Sequence, residues 1–254
     1  MIQWLVQSLT EMPPVGEGLD APPAGLLTAA EQQAYAGLKF AKRRQEWLLG
    51  RWTAKQLLRQ VIWQETGQAL ALDSLGVVAN GRGAPCLQVS GVAALLPEAG
   101  YQLSISHAHG RAFCAVVAGR YGPLGADIEW IAPRPAGFAA DYFTADELAL
   151  LEEAPAGMYD TLVTAVWSGK EAAMKVAQVG LRVDTRTVSC DLSRPGVAPQ
   201  TWTYFPIHWA NGQTMAGWWQ VQDNYVLALA IAIPPAGCCT ARRSRQHEEP
   251  FMLR

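Results

Sequence analysis

The order of helical and strand patterns places the strongest constraint on the fold of this chain. Twice along the sequence, amphipathic or apolar helical stretches are followed by stretches with the alternating or buried character of strands. The helical patterns cover about 28–38, 44–65, 144–154 and 162–178, and the strand patterns cover about 101–107, 111–119, 124–131, 202–209, 214–222 and 225–233. Helices followed by strands, repeated in kind, indicate an α+β fold made of two similar halves.

This organisation divides the chain into an N-terminal half, 1–121, a C-terminal half, 122–235, and a tail, 236–254, that we expect to be flexible. Of the 254 residues, 50% are hydrophobic and 17% charged, which is enough apolar material for a sizeable core. The net charge of -2 creates no field that would recruit nucleic acid or an anionic membrane, and no apolar run reaches membrane-spanning length. The five cysteines contain no C-x-x-C pair and the first residues do not resemble a signal peptide, so we expect a reducing, cytoplasmic location and no zinc site.

Two acids, Asp127 and Glu129, stand one residue apart in an otherwise apolar strand pattern. Alternate residues of a strand share a face, so the two carboxylates point together while Ile128 and Trp130 face the core. Like charges beside a core are unfavourable unless a cation lies between them, and paired carboxylates are ligands that Mg²⁺ or Mn²⁺ prefers. Taken alone, the D-x-E pair is more typical of a solvated strand face than of a metal site.

A second pair of charges lies on the helical pattern at 162–178. Glu171 and Lys175 are four residues apart, on the same stripe as Trp167. An ordinary surface ion pair has the same spacing and contributes only a few tenths of a kcal/mol. Because the surrounding helix is largely apolar, we expect this pair to face a site rather than open water.

Basic residues cluster between 39 and 55, where Glu46 is the one acid. Arg44, Arg51 and Lys55 fall within one helical stripe, which we expect to bind a phosphate or diphosphate. A solvated amphipathic face and a surface for an acidic partner are the alternatives. Nucleic acid is a weaker candidate, because no interleaved aromatic residues accompany the stripe.

His107 stands where a strand pattern meets a turn, beside Ser106. In a basic neighbourhood it can contact a phosphate, and the alternatives are a turn cap or a satisfied core imidazole. A Ser-His hydrolase is excluded, because the chain has no G-x-S-x-G elbow and adjacent side chains of a strand diverge.

Two long motifs and several shorter ones resemble those of a known family. GADIEW, 125–130, is similar to a G-(I/V/C)-D-(I/V)-E strand, and WSGKEAAMK, 167–175, is similar to a W-(S/T)-x-K-E-(A/S)-x-x-K helix. The shorter segments are RRQEWLLGR at 43–51, SISH at 104–107, DYFTADE at 141–147 and GLRVDTRTVS at 180–189. In this order they resemble the 4′-phosphopantetheinyl transferase superfamily, in its larger Sfp, AcpT and EntD type, over about residues 38–190.

The resemblance implies transfer of the 4′-phosphopantetheine arm of coenzyme A to a serine of an apo acyl or peptidyl carrier protein, with release of 3′,5′-ADP. It implies a monomer whose two α+β halves are related by a pseudo-twofold axis, with the coenzyme between them. Asp127, Glu129 and Glu171 would hold Mg²⁺, or Mn²⁺, against the diphosphate. Lys175 would add positive charge where the leaving phosphate develops negative charge.

Further roles follow from the same resemblance. The expected contacts to coenzyme A are Arg44, Arg51, Arg82, Ser106, His107 and Lys175. The serine proton would pass to Glu171 or to a metal-bound water that Glu171 orients, and the water is favoured. The acidic helix of the carrier would meet the basic stripe or apolar residues such as Phe138 and Phe143.

The chain departs from the family pattern at Ala84, where many members have the lysine of a Gly-Lys-Pro segment that helps to hold the coenzyme, and at Ala108, which replaces a serine. Arg82 is the candidate replacement for that lysine. Two other functions therefore stay open: a non-catalytic binder of coenzyme A or carrier protein, and a Mg²⁺-dependent phosphodiester or diphosphate hydrolase. The presence of all three acids and Lys175 favours the active transferase.

Overall fold

The computed structural model describes residues 1–14, 21–89, 97–192 and 201–233, together with the backbone of 252–253. The tail predicted at 236–254 lies outside these residues, apart from a two-residue strand. In chain order the elements are β1 (Ile2–Ser8), α1 (Ala29–Ala36), α2 (Ala41–Thr66), β2 (Leu75–Ala79), β3 (Pro85–Val89), β4 (Tyr101–Ala108), β5 (Arg111–Ala118), β6 (Leu124–Trp130), α3 (Phe138–Tyr142), α4 (Ala145–Glu152), α5 (Tyr159–Ala177), β7 (Val188–Cys190), β8 (Thr203–Trp209), β9 (Thr214–Gln222), β10 (Tyr225–Ala232) and β11 (Met252–Leu253).

Two main sheets form the fold, and each packs against one long helix. The first has the strand order β11-β1-β5-β4, in which β11 runs parallel to β1, and the second is the antiparallel sheet β6-β10-β9-β8-β7. Helix α2 lies on the first sheet and α5 on the second. The α+β class predicted from the sequence is confirmed, whereas the pseudo-twofold axis and the boundary at residue 121 stay predictions.

Apolar side chains of the two long helices form separate cores with their sheets. Leu58 of α2 is fully buried in one cluster with Val116 of β5. Val166 of α5 is buried in another cluster with Phe205 of β8 and Val226 of β10. Each such side chain stabilises the fold by roughly 1.5–3 kcal/mol relative to an exposed position.

The two sheets meet where β4 lies beside β6. The backbone N–H of Ala126 donates to Ser104 Oγ at 2.8 Å. A third core cluster joins both sheets and includes Phe113 of β5, Ile128 of β6 and Leu229 of β10. The middle of β6, which carries the two predicted acids, therefore lies at the junction of the sheets.

A buried ion pair connects α1, α2 and β2 in the first half. Thr28 and Glu31 form a capping box at the start of α1, and Glu31 Oε2 accepts from Lys55 Nζ of α2 at 2.5 Å. The other oxygen, Oε1, accepts from the backbone N–H of Val77 at 2.9 Å. Because the side chain of Lys55 is 0% exposed, its predicted place in an exposed phosphate-binding stripe is wrong.

The second half repeats this arrangement with different residues. Thr144 and Glu147 form a capping box at the start of α4, and Glu147 Oε2 accepts from Lys170 Nζ of α5 at 2.8 Å. Glu147 Oε1 accepts from the backbone N–H of Cys190 at 2.8 Å. Glu147 and Lys170 therefore have a structural role, which accounts for two of the polar residues in the motifs.

Both halves also contain a hairpin with a two-residue connection. Residues 109–110 join β4 to β5 and residues 223–224 join β9 to β10, so that Ala108 pairs with Arg111 and Gln222 pairs with Tyr225. All four connecting residues have positive φ, which matches the twist of a tight hairpin. The four strands lie where the sequence patterns predicted strands, at 101–107, 111–119, 214–222 and 225–233.

The sequence patterns did not predict β1, or the short hairpin β2–β3. Strand β1 pairs antiparallel with β5, from Gln3 opposite Val116 to Ser8 opposite Arg111. The segment NGRGAP, 80–85, has residue types typical of a turn, and it forms the turn that joins β2 to β3.

Candidate active site

A close approach of β6 to α5 brings the predicted acids together. A Cβ atom at Gly125 would lie 1.8 Å from the carbonyl oxygen of Ala172, so only glycine allows the two backbones to come this near. As the strand alternation predicts, Asp127 and Glu129 both face α5, where Glu171 and Lys175 lie. Asp127 is 1% exposed, whereas Glu129 is only partly buried.

Asp127 is held by three side chains from two different elements. Its Oδ1 accepts from Lys175 Nζ of α5 at 2.7 Å and from Ser106 Oγ of β4 at 2.8 Å. Its Oδ2 accepts from Ser168 Oγ of α5 at 2.8 Å. Lys175 Nζ also donates to the carbonyl oxygen of Ala126 at 2.9 Å. The carboxylate is therefore fixed by both halves of the molecule.

Glu129 has its own cation, Arg134, which sequence reasoning missed. Arg134 Nη2 donates to Glu129 Oε2 at 2.8 Å, and its guanidinium lies 5.3 Å from the ring centre of Phe138. Burial raises the pKa of Glu129, Asp127 raises it further, and hydrogen bonds from Arg134 and Trp167 oppose the change. The sequence signal was a single arginine five residues after Glu129, between two prolines.

Glu171 completes the acidic cluster of Asp127, Glu129 and Glu171. Burial raises its pKa to about 7, the charge of Asp127 adds to this, and Lys175 opposes it. Three carboxylates here face two cations, Lys175 and Arg134, so one negative charge has no compensating partner. At neutral pH Glu171 can therefore either hold or release a proton.

The chemistry of the acidic cluster fits a divalent cation. Its ligand atoms are carboxylate oxygens, which Mg²⁺ prefers, and it has negative charge in excess. As the side chains are oriented here, no three Asp, Glu, His or Cys groups in the described ranges are arranged to hold a metal ion. Asp127 and Glu129 instead face Lys175 and Arg134, so their roles as metal ligands stay predictions.

His107 extends the site toward helix α2. Its Nε2 lies 3.5 Å from Arg43 Nη1 and its Nδ1 lies 3.9 Å from Glu46 Oε2. Burial lowers the pKa of His107, Arg43 and Lys175 lower it further, and Glu46 opposes them. The imidazole is therefore neutral at pH 7 and close enough to Lys175 to respond to its charge.

Arg44 and Arg51 also lie on α2, and each contacts a nearby residue of the first half. Arg44 Nε donates to the carbonyl oxygen of Leu38 at 2.7 Å. The guanidinium of Arg51 lies 3.9 Å from the ring centre of Trp47, and burial lowers its pKa to about 10. Their predicted contacts with a phosphate stay predictions.

A cavity of about 250 Å³ lies between the two halves and adjoins the acidic cluster through Lys175. Its walls are 82–85 and 102–105 from the first half, and 123–124, 174–175, 178–180 and Arg182 from the second. Arg82, one of the predicted coenzyme contacts, lies in this wall. A larger cavity of about 520 Å³ lies against β1 and α2 within the first half, away from the acids.

An aromatic cluster lies beside Glu129. Phe138 packs edge-on against Trp167, with ring centres 5.2 Å apart, and against Phe143 at 5.9 Å. Phe143 is only 2% exposed, so the expectation that it meets a carrier protein is wrong. Tyr142, the last residue of α3, is 40% exposed.

The acidic cluster lies within the segment that matches a known protein family. Residues 123–230 match the family model described as ACPS, 4′-phosphopantetheinyl transferase superfamily. The match confirms the superfamily resemblance seen in the motifs, and the matching segment contains β6, α5 and most of the second sheet. Membership of the larger class stays a prediction. A comparison with curated proteins found no match.

Several solved structures are similar to part of the chain. A holo-(acyl-carrier-protein) synthase from Bacillus anthracis, in complex with coenzyme A (3′,5′-ADP), is 26% identical over 45% of this chain and 91% of its own, with a TM-score of 0.35. The holo-[acyl-carrier-protein] synthase of Thermotoga maritima is 16% identical over 56% and 73%, with a TM-score of 0.38. A Chronobacterium ammoniagenes ACPS–CoA complex is 22% identical over 46% and 96%, with a TM-score of 0.35. At TM-scores this low, we base no function on these likenesses.

Among the described residues, no helix is both long and apolar enough to cross a membrane. Cys86, Cys114 and Cys190 are free thiols.

Proposed function

We propose that the chain transfers the 4′-phosphopantetheine arm of coenzyme A to a serine of an apo acyl or peptidyl carrier protein, with Mg²⁺ as cofactor and 3′,5′-ADP as the second product. One observation carries this proposal. Asp127, Glu129, Glu171 and Lys175 come together on β6 and α5, inside the segment that matches the superfamily, and Lys175 also lines the cavity between the halves.

In this proposal Asp127, Glu129 and Glu171 hold the Mg²⁺. When bound, the ion would neutralise the diphosphate and stabilise the leaving oxygen. Ser106 and Ser168 hold Asp127 in place through both of its oxygens. Lys175 lies between Asp127 and the cavity, so its ammonium can donate to a phosphate oxygen placed there.

The serine of the carrier must lose a proton during the transfer. A water that Glu171 orients is the favoured acceptor, because a carboxylate that also holds the metal is a weak base. Glu171 itself is the alternative acceptor. His107, neutral and beside Arg43, together with Arg44, Arg51 and Arg82, supplies hydrogen bonds and positive charge for the phosphates of the coenzyme.

Intact-protein mass spectrometry tests this function directly. The purified chain is mixed with Mg²⁺, coenzyme A and a panel of apo carrier proteins. The proposal predicts a gain of roughly 340 Da on at least one carrier, the mass of a phosphopantetheine group, and loss of that gain with EDTA. Bound coenzyme A without any gain would favour the non-catalytic binder, and cleavage of coenzyme A without a carrier would favour the hydrolase.

The role of Lys175 can be measured in the same assay. Lys175→Ala removes the ammonium that would meet the leaving phosphate, so turnover should fall more than the affinity for coenzyme A. A change in affinity alone would make Lys175 a binding residue.

A further inference from the structure

The cavity between the halves has a strongly positive lining. Arg82 comes from the turn before β3, Lys175 from α5, and Arg182 from the short 3₁₀ helix that follows α5. No carboxylate belongs to this lining, and Lys175 is already bonded to Asp127. The positive charge of Arg82 and Arg182 is therefore available to an anionic ligand.

The two arginine-bearing segments are tied to each other across the cavity. Asn80 Oδ1 accepts from the backbone N–H groups of Arg82 and Ala84 at 2.9 and 3.0 Å, which shapes the first segment. Asn80 Nδ2 donates to Oε1 of Gln178, the residue that follows α5, at 3.3 Å. The bond joins the two segments, and Arg82, Gln178 and Arg182 all line the cavity.

Ala84 is an uncharged residue in the wall of this cavity. Its methyl group lines the cavity but cannot reach a ligand as a lysine side chain can. Arg182 approaches the same cavity from the opposite half. We propose that Arg182 is a substrate-binding residue that contacts the diphosphate of coenzyme A and supplies the charge that Ala84 does not, an inference that rests on the proposed function.

A nearby arginine provides a matched control. Arg186 lies four residues after Arg182, and its guanidinium is bonded to Asp184, with Nη2 2.8 Å from Oδ2 and Nε 3.0 Å from Oδ1. Both arginines are exposed, so replacing either one should leave the fold unchanged. Arg186 does not line the cavity and already has an acidic partner, so its loss should leave ligand binding unchanged.

Isothermal titration calorimetry with coenzyme A and with dephospho-coenzyme A tests the proposal, with melting curves to check folding. Arg182→Ala should lower the affinity for both ligands by roughly tenfold, since a hydrogen bond to a charged group is lost. Arg186→Ala should match the wild type. Adding Ala84→Lys to Arg182→Ala should recover most of the lost affinity, because the lysine returns a cation to the same cavity.

The outcomes separate this proposal from the proposed function. If the wild type binds coenzyme A and Arg182→Ala binds it equally well, the role of Arg182 is overturned and the transferase is not. If only coenzyme A loses affinity, Arg182 contacts the 3′-phosphate instead and the diphosphate assignment is overturned. A wild type that binds neither ligand removes the proposed function, and this inference with it.

Discussion

The contact between Gly125 and α5 allows a quantitative test of how the acidic site is held. In Gly125→Ala the new methyl carbon would lie 1.8 Å from the carbonyl oxygen of Ala172 and 2.7 Å from its carbonyl carbon. Real Cβ contacts are essentially never closer than 3.0 Å, so the strand and helix backbones must separate by about 1 Å. Because neither partner is a flexible side chain, we expect a loss of about 3 kcal/mol of unfolding free energy.

The separation of β6 from α5 should also lower the rate of the proposed transfer. Asp127 and Lys175, now 2.7 Å apart, lie on the two elements that the methyl group separates. A misplacement of about 1 Å in a catalytic arrangement costs roughly 10²-fold in rate. Urea unfolding followed by tryptophan fluorescence measures the stability, and carrier modification followed by mass spectrometry measures the rate.

Two further glycines make the experiment specific. At Gly119 a Cβ would lie 2.0 Å from the carbonyl oxygen of Ala99, a comparable clash at the end of β5, so Gly119→Ala should lose stability without a similar loss of rate in the folded protein. At Gly37 the nearest atom would be at an ordinary 3.4 Å, so Gly37→Ala should behave as the wild type. Wild-type stability and rate in Gly125→Ala, or an equal loss of rate in Gly119→Ala, would refute the reasoning.

Three other substitutions test the site and the frame around it. Asp127→Asn should abolish Mg²⁺-dependent transfer in a chain that still melts cooperatively, and a near-normal rate in the mass-spectrometric assay would remove its role in metal binding. Lys170→Met leaves the buried Glu147 carboxylate without its cation and should cost about 3–5 kcal/mol in urea unfolding, whereas a loss below about 1 kcal/mol would show that the pair is not needed. The carboxyl of Glu171 ionises near 4.5 in the unfolded chain and near 7 in the fold, so in EDTA the stability of the wild type should fall by about 3 kcal/mol as pH rises between these values. Glu171→Gln should remove most of that fall, and an unchanged pH profile in urea titrations would contradict the assignment.

Patterns within one element predicted their part of the structure well. The alternation around Asp127 and Glu129 placed both acids on one face of β6, and the spacing of four placed Glu171 and Lys175 together on α5. These predictions succeeded because the period of a strand or helix depends on the backbone alone. The same reasoning located the strands of both long hairpins, whose turns contain residue types that favour positive φ.

Contacts between distant segments were beyond the reach of such patterns. The helical stripe on α2 gave no sign that Lys55 points inward, because its partner Glu31 lies on a separate helix and 24 residues away. Phe143 has the apolar surface expected of a docking residue, and only the packing of α3 on α5 shows that it is buried. Arg134 belongs to a loop without periodicity, so no helix or strand pattern connected it with Glu129.

The repeated frame of the two halves has a consequence for stoichiometry. One residue and five residues after the buried lysines, Gln56 and Gln60 of α2 take the places that Glu171 and Lys175 take on α5. In each half, the second strand of the hairpin pairs with one further strand, β5 with β1 and β10 with β6. When positions are counted from the start of β5 and of β10, the residues of β1 that correspond to Asp127 and Glu129 of β6 are Leu5 and Gln7. None of these four counterparts is charged: Leu5, Gln7, Gln56 and Gln60.

The first half therefore keeps the architecture that holds the acidic cluster in the second half, but it has no charged residue at the four corresponding positions. A chain with two equivalent frames then offers one ionic site rather than two. Titrations of the intact chain should accordingly saturate at one Mg²⁺ and one coenzyme A per molecule, with no sign of cooperativity.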